Sequence, residues 1–335
     1  MMAMKKFLND PANITKELLE GLTACYSNKV KLVNEKIVVR ATPKCQSKVA
    51  IVSLGGTGHE PAISGFVGEG MLDASVAGDI FAAPGAPKVL EALRMFKREA
   101  GIILVTLNHA GDRMSASKAL RDAQKEGIKV VEIVTQEDIS AGIDIDPEEK
   151  RGLGGCIPLY KVIGAAAELG KSLDEITEIG QRFNKQMATL AVAMTGCTHP
   201  QNGGVIAVLP EDEMEIGMGQ HGEAGGGRSK ILTADETAAK MIAPLMKATG
   251  VKSGDSTMLI VNGVGATTLM EMFIVYRKAA SVLAQNGITS VPGICDELLT
   301  VQEMAGFQMI LCKLDADHVE LMKAKANSPY WTTVA

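Results

Sequence analysis

Val49-Ala50-Ile51-Val52-Ser53-Leu54, followed at once by Gly55-Gly56-Thr57-Gly58-His59-Glu60-Pro61, is the stretch on which the fold turns. The first six residues read as a buried parallel strand, apolar on both faces rather than alternating. Three glycines after a strand let the backbone turn sharply and approach a ligand with no Cβ in the way. His59 then falls where open α/β sheets bind small molecules, beyond the carboxyl ends of the strands. Taken alone, the stretch fits an ordinary βα turn with a solvent-facing histidine equally well.

Working outward, Lys36 to Arg40 reads as a strand at a sheet edge, after an exposed stretch Asn28 to Glu35. A helix from Ile14 to about Cys25 precedes them, with Asn13 as its cap. On the other side, Gly65 to Gly70 imitates a dinucleotide fingerprint but follows no strand, which rejects that reading. A helix through Leu90, Leu93 and Phe96 leads to a second apolar strand, Gly101 to Leu107. That strand ends in the polar loop Asn108-His109-Ala110-Gly111-Asp112. A helix to Glu126 and a strand Lys129 to Val134 complete a βαβαβ succession and imply a mostly parallel sheet flanked by helices. Two strands thus deliver a histidine each to one sheet edge, which favours a site over coincidence.

The acidic segment Gln136 to Arg151 reads as a solvated loop. Ser172 with Glu175, and Thr233 with Glu236, make capping boxes that open two helices. The chain divides near Met187 into two α/β domains, 1–187 and 188–335, the second with a smaller mixed sheet and helices. Its strands are Leu190 to Met194, Val205 to Leu209, Met214 to Gly217, Met258 to Asn262, one near Thr289, and Gln308 to Leu314. A helix Leu269 to Gln285 and a last helix capped by Asp315 accompany them. The loop Gly217 to Gly227 carries six glycines around His221. Ordering so many glycines is costly unless the loop wraps something, and it lacks the Ser and Lys of flexible linkers.

Composition narrows the function. Apolar residues make up 46% and charged residues 22%, as in a soluble globular protein, and the net charge of −5 comes with no basic block for a phosphate backbone. Nucleic acid is therefore not an expected partner. Met1 to Lys6 lacks the apolar core of a signal peptide and no run approaches a membrane span. Six scattered cysteines without a CxxC pair point to a reducing cytoplasm rather than to disulfides or zinc. No HxH or HExxH spacing marks a metal site, no GxSxG elbow a hydrolase, and no GxxxxGK[ST] a nucleotide loop. What remains is His59, His109 and His221 with Asp112, a set suited to acid–base work on a hydroxyl or to capture of a carbonyl by imidazole.

Gly55 to Pro61, Gly111-Asp112, Asn184 and Met214-Glu-Ile-Gly-Met-Gly-Gln-His-Gly-Glu223 resemble the dihydroxyacetone kinase substrate-binding family, DhaK, from Lys5 almost to the C-terminus. The resemblance implies a homodimer of two-domain α/β chains with the site between the domains. His221 would form a hemiaminal with a ketone, and His59 would be general base on the hydroxyl to be phosphorylated. Asp112 would handle protons at the other end, and Gly56, Thr57 and Gly58 would offer backbone donors. ATP-dependent relatives append a nucleotide-binding domain for which this chain has no room. That implies the phosphotransferase-dependent type, with ADP and magnesium on a separate DhaL-type subunit and a DhaM-type phosphoryl donor upstream. The chain itself would hold no metal or nucleotide. Three positions depart from the family: Leu107 stands for a lysine, Ala82 or Ala83 for a small hydroxyl residue, and Leu54 for a first glycine. They leave a related ketose such as erythrulose as an alternative to dihydroxyacetone. A sugar-sensing co-regulator of transcription is the reading from a different class.

Overall fold

The computed structural model describes residues 5–290 and 293–334. Residues 1–4 of the start tested for a signal peptide, and Ala335 of the tail, lie outside the described residues. Helix α1 (Ile14–Cys25) is followed by strands β1 (Val30–Val33), β2 (Ile37–Arg40), β3 (Ala50–Thr57) and β4 (Ala74–Ile80). Then come α2 (Ala86–Met95), β5 (Ile102–Leu107), α3 (Ala110–Lys125) and β6 (Val130–Thr135). These strands form one six-stranded sheet in the order β1-β2-β4-β3-β5-β6. β4, β3, β5 and β6 run parallel, while β1 and β2 are antiparallel additions. So β1, not β2, is the edge, and the stretch read as exposed contains it. β3 and β5 are neighbours in the sheet but not successive in the chain, because β4 lies between them.

Helices α4 (Cys156–Glu168) and α5 (Leu173–Lys185) lead into the second half. It holds β7 (Met187–Ala193), β8 (Cys197–Thr198), β9 (Val205–Ile206), β10 (Glu213–Ile216) and β11 (Arg228–Lys230). After α6 (Ala234–Thr249) and β12 (Ser256–Gly263) come α7 (Leu269–Gln285), β13 (Thr289–Ser290), β14 (Ile294–Asp296), β15 (Gly306–Leu314) and α8 (Ala316–Lys323). The second sheet has the path β11-β10-β7-β15-β12-β13, with β14 also on β12. It is mixed: β12 pairs antiparallel with β15 but parallel with β13 and β14. Expected to be the smaller, it has seven strands against six among the described residues.

The helices start where expected, although Asn13 and Asp315 hold the cap positions without a side-chain cap hydrogen bond. Both oxygens of the Ser172/Glu175 and Thr233/Glu236 boxes are engaged, and Thr268 with Glu271 makes a third box that opens α7. Between the sheets, α4 is buried along nearly its whole length. Its Ile157, Tyr160 and Ile163 share one apolar cluster with Ile51 and Ile103 of the first sheet and Ile260 and Ile310 of the second. An amphipathic stripe would not serve a helix covered on two sides, and its alanines allow the close approach. After α8 the tail returns to the first half, where Asn327 and Tyr330 donate backbone N–H groups to the carbonyls of Glu69 and Gly65.

The acidic segment is solvated only in part: Asp144 and Asp146 to Glu149 are exposed as expected, but its beginning is not. Glu137 and Asp138 are buried, and residues 137–139 pair with Thr189 of β7, joining the two halves. The Glu137 carboxylate accepts the N–H groups of Leu153 and Gly155 ahead of α4, at 2.6 and 3.0 Å. Burial still pushes that carboxyl up to about 7.

Candidate active site

β3 runs further than its apolar residues suggest, through Gly55, Gly56 and Thr57, with a register shift against β4. The turn after β4 can pack against the strand here only because residue 56 has no Cβ, which would stand 2.8 Å from the Ala82 nitrogen. The turn proper starts at Gly58, and His59 follows it into a cavity of about 250 Å³ between the halves. From the first half Gly55, Gly56, His59, Phe81, Leu107 and Asp112 line it, and from the second Gln220, His221, Glu223 and Leu299.

Thr57 and Gly58 were expected among the lining donors and are not there. The Thr57 hydroxyl is turned inward, against Thr15 Oγ1 at 3.1 Å and the Gly78 carbonyl at 3.2 Å. The Gly58 N–H is taken by the Glu60 carboxylate at 3.1 Å, and its carbonyl accepts from Gln302. Leu54 is also no pocket residue: it is fully buried in the core with Leu90 and Leu104. Gly56, Leu107, Ala82 and Ala83 do line the cavity.

His59 and His221 meet, with their Nε2 atoms 3.1 Å apart. His59 Nδ1 lies 2.9 Å from the Thr300 carbonyl, which can only accept, so this nitrogen carries the hydrogen and Nε2 has the lone pair. Burial, then the neighbouring charge of His221, pushes the His59 imidazole down to about 3. Behind His221, Glu223 accepts from Nδ1 at 3.1 Å and from the His221 backbone N–H at 2.9 Å. Burial pushes the Glu223 carboxyl up, but its hydrogen bond to His221 and the charge of that ring outweigh it and hold the group at about 2. An ionised Glu223 needs the hydrogen on Nδ1, so the short contact between the two Nε2 atoms needs one more. Burial keeps His59 neutral, and the contact is closed by one hydrogen shared between the two Nε2 atoms.

Asp112 sits in the first turn of α3 rather than in a loop, because the helix starts at Ala110 with His109 as its cap. Its carboxyl is buried, Oδ1 has no hydrogen-bond partner, and burial raises it to about 7 against the pull of His221. His109 reaches the Gly152 carbonyl with Nε2 at 2.8 Å and faces His221 edge-on at 5.1 Å between ring centroids. Its imidazole is pushed down, first by burial and then by the charge of His221. Phe81 closes the wall, its ring 4.8 Å from that of His59. Phe81, Thr300, Gln220 and Glu223 carried no role in the sequence reading. Only Gln220 and Glu223, on either side of His221 in the same motif, gave a usable signal.

His109, His221 and Glu223 hold ligand atoms within 4.8 Å of one another, a spacing that could take a metal ion. His109 Nε2 is already engaged, however, by the Gly152 carbonyl at 2.8 Å and the Gln220 side-chain amide at 3.1 Å. The geometry suits proton traffic better than coordination.

The sequence pattern of the Dak1 domain matches residues 20–330. The chain belongs to the Dak1 domain family. It is 34% identical over 98% of its length to the dihydroxyacetone-binding subunit DhaK of PTS-dependent dihydroxyacetone kinase 1 from Listeria innocua, covering 100% of that protein. It is 34% identical to L-erythrulose kinase of Pectobacterium atrosepticum over 97% of this chain and 56% of that one. Among solved structures, the dihydroxyacetone kinase operon co-activator Dha-DhaQ superposes with a TM-score of 0.90 at 30% identity, covering 96% of this chain and 99% of its own. Among the described residues no helix is long and apolar enough to cross a membrane.

Proposed function

We propose that the chain is the ketose-binding subunit of a phosphotransferase-dependent dihydroxyacetone kinase. It would capture dihydroxyacetone as a hemiaminal on His221 for phosphorylation by a separate DhaL-type subunit. The observation that carries this is the relay Glu223, His221 and His59, closed by contacts of 3.1 Å at the cavity. A ketone entering there meets the His221 Nε2 side. As Nε2 bonds to the carbonyl carbon, the carbonyl electron pair moves to oxygen. The hydrogen leaving Nε2 passes by way of His59 to that oxygen, and the alkylated ring stays cationic against Glu223. His59 is then neutral again and free to accept the proton of the hydroxyl that attacks the phosphoryl group, while the bond from phosphorus to ADP breaks. Asp112 would hold the proton at the opposite end. His109 would steady the His221 side of the cavity.

The lining also supports a small neutral substrate. Among the described residues it contains neither lysine nor arginine, so it offers a phosphate no fixed cation. The cations for transfer, magnesium included, would come with ADP on the DhaL-type partner, itself recharged by a DhaM-type protein, and this chain would need no cofactor. We place the division between the two domains near residue 187, the chain in the cytoplasm, and two copies in a homodimer.

The test is NMR of dihydroxyacetone labelled with carbon-13 at the carbonyl. Wild type should move the ketone resonance to a tetrahedral position absent from His221→Ala, and the phosphorylated product should form once a DhaL-type subunit and ATP are added. An adduct without any product would favour a second reading, supported by the likeness to the co-activator: a ketose sensor that regulates transcription through a partner protein. Stronger capture of erythrulose would favour the kinase for a four-carbon ketose, consistent with the apolar Leu107, Ala82 and Ala83.

A further inference from the structure

The strap from Gln136 to Arg151 leaves β6, crosses to the second sheet and returns to α4. Its ends are pinned together: Asp138 accepts from Arg151 Nε at 2.7 Å, and the Asp138 N–H donates to the Arg151 carbonyl at 3.0 Å. Asp138 is 2% exposed, so the charge of its partner is not screened away. The other arm of the guanidinium donates to Ser140 Oγ at 2.8 Å and to the Gly217 carbonyl at 2.6 Å. Gly217 opens the glycine-rich loop that carries His221. The next residue of the strap, Gly152, gives its carbonyl to His109 from the first half. Two adjacent residues therefore hold a histidine-bearing loop from each sheet.

The loop needs such a hold. From β10 it is tied by the Glu215 carboxylate to the Gly225 N–H and by the Ile216 carbonyl to the Gly226 N–H, both at its far end. On the His221 side, Gly217 is held from outside the active cavity by two bonds, its N–H to the Ala191 carbonyl of β7 at 2.7 Å and its carbonyl to Arg151, and Arg151 is the only side chain of the two. It also shapes the space there: a Cβ on Gly219 would lie 2.4 Å from Arg151 Nη1 and 2.1 Å from Glu223 Oε2. The guanidinium and the Glu223 carboxylate thus both reach into the space that a side chain at 219 would fill.

We infer that Arg151 is a positioning residue for His221: held by Asp138 and Ser140, it fixes the loop so that the Glu223–His221 pair faces His59. This rests in part on the proposed ketose capture, because positioning has a chemical readout only if capture occurs. A planar fork with three acceptors at fixed angles is work that lysine cannot copy. Misplacing a reacting nitrogen by an ångström costs on the order of a hundredfold.

The experiment compares wild type, Arg151→Lys and Arg151→Gln by two measurements: hydrogen exchange of the amides in residues 217–227, and carbonyl-labelled dihydroxyacetone binding by NMR. Glu137 contacts and the rest of α4 stay in place, so exchange in β3 and β15 serves as the control for folding. Both variants should exchange about tenfold faster in the loop while the control strands are unchanged, and both should lose about tenfold or more in adduct at equal ketose. Loop exchange equal to wild type in Arg151→Gln would overturn the inference whatever the adduct does. So would full adduct formation by Arg151→Lys, which would make the charge alone sufficient. If wild type itself gives no adduct, the proposed capture fails, yet the exchange comparison still decides whether Arg151 holds the loop. Should Arg151→Gln unfold the control strands, Ser140→Ala, which removes one arm of the clamp and no charge, takes its place with a smaller rise in loop exchange.

Discussion

The two loops that bring histidines together are built on opposite principles. His59 stands at the end of a central parallel strand, is 5% exposed, and has Nδ1 locked to a carbonyl of the other half. His221 stands in a six-glycine loop beyond the four-residue β10 and is held by Glu223 and His59. The first histidine is kept neutral with its lone pair aimed; the second is half-buried with a carboxylate behind it. A base gains from a fixed, desolvated place, whereas a nucleophile that must change its bonding gains from a partner that can follow its charge. The site thus takes rigidity from one sheet and compliance from the other.

Removing the compliant partner should have the largest effect. His221→Ala should abolish the ketose adduct altogether, read by the absence of the tetrahedral carbon resonance with dihydroxyacetone and with erythrulose. His59→Gln should separate the two roles: some adduct should persist, while phosphoryl transfer with a DhaL-type subunit falls by about 10²–10⁴. Equal loss of both would mean that His59 serves capture alone. Glu223→Gln keeps an acceptor for Nδ1 but not the charge, and a charge-assisted hydrogen bond contributes about 1.5–3 kcal/mol. Adduct formation should therefore weaken about tenfold to a hundredfold, and an unchanged affinity would remove Glu223 from the relay.

How much of this could be read beforehand differs between the two regions for physical reasons. Long apolar strands such as Ile102–Leu107, and helices with capping boxes, declare themselves by local pattern. β4, Ala74–Ile80, does not: it is built of small residues with an aspartate, and only its neighbours in the sheet make it a strand. The strap failed for the opposite reason. Its charge count predicts solvent, but Glu137 and Asp138 are buried to meet backbone N–H groups and Arg151, partners distant in sequence or set by the turn. Within the site, the histidines and Asp112 were legible because few other uses explain them in those loops. Phe81 and Thr300 were not, since each matters only through a ring or carbonyl that folding brings to His59.

Asp112 belongs to the rigid side and gives a pH test of it. Burial raises its carboxyl to about 7, above its unfolded value near 3.8, so the folded chain holds a proton that the unfolded chain has lost between those values. Its contribution to stability is complete below about pH 4 and disappears as pH rises through 7. Asp112→Asn should therefore gain on wild type as pH rises from 4 to 8, on the order of a few kcal/mol at most, and differ little below pH 4. Parallel melting curves of the two proteins across that range would show it. A gap that is constant with pH would mean that Asp112 ionises normally.

Thr57 offers the smallest effect and the cleanest separation of support from chemistry. Its place in the glycine-histidine motif suggests a ligand-facing residue, but its hydroxyl joins Thr15 and the Gly78 carbonyl inside the first half. Thr57→Val keeps the volume and the β-branch while leaving those two groups without a partner, at a cost of about 1–2 kcal/mol. The denaturation midpoint should fall accordingly, and ketose capture at a temperature where the variant remains folded should stay within about twofold of wild type. If capture instead collapsed while stability held, Thr57 would have to turn toward the cavity when the ketose binds. The rigid half of the site would then be the one that moves.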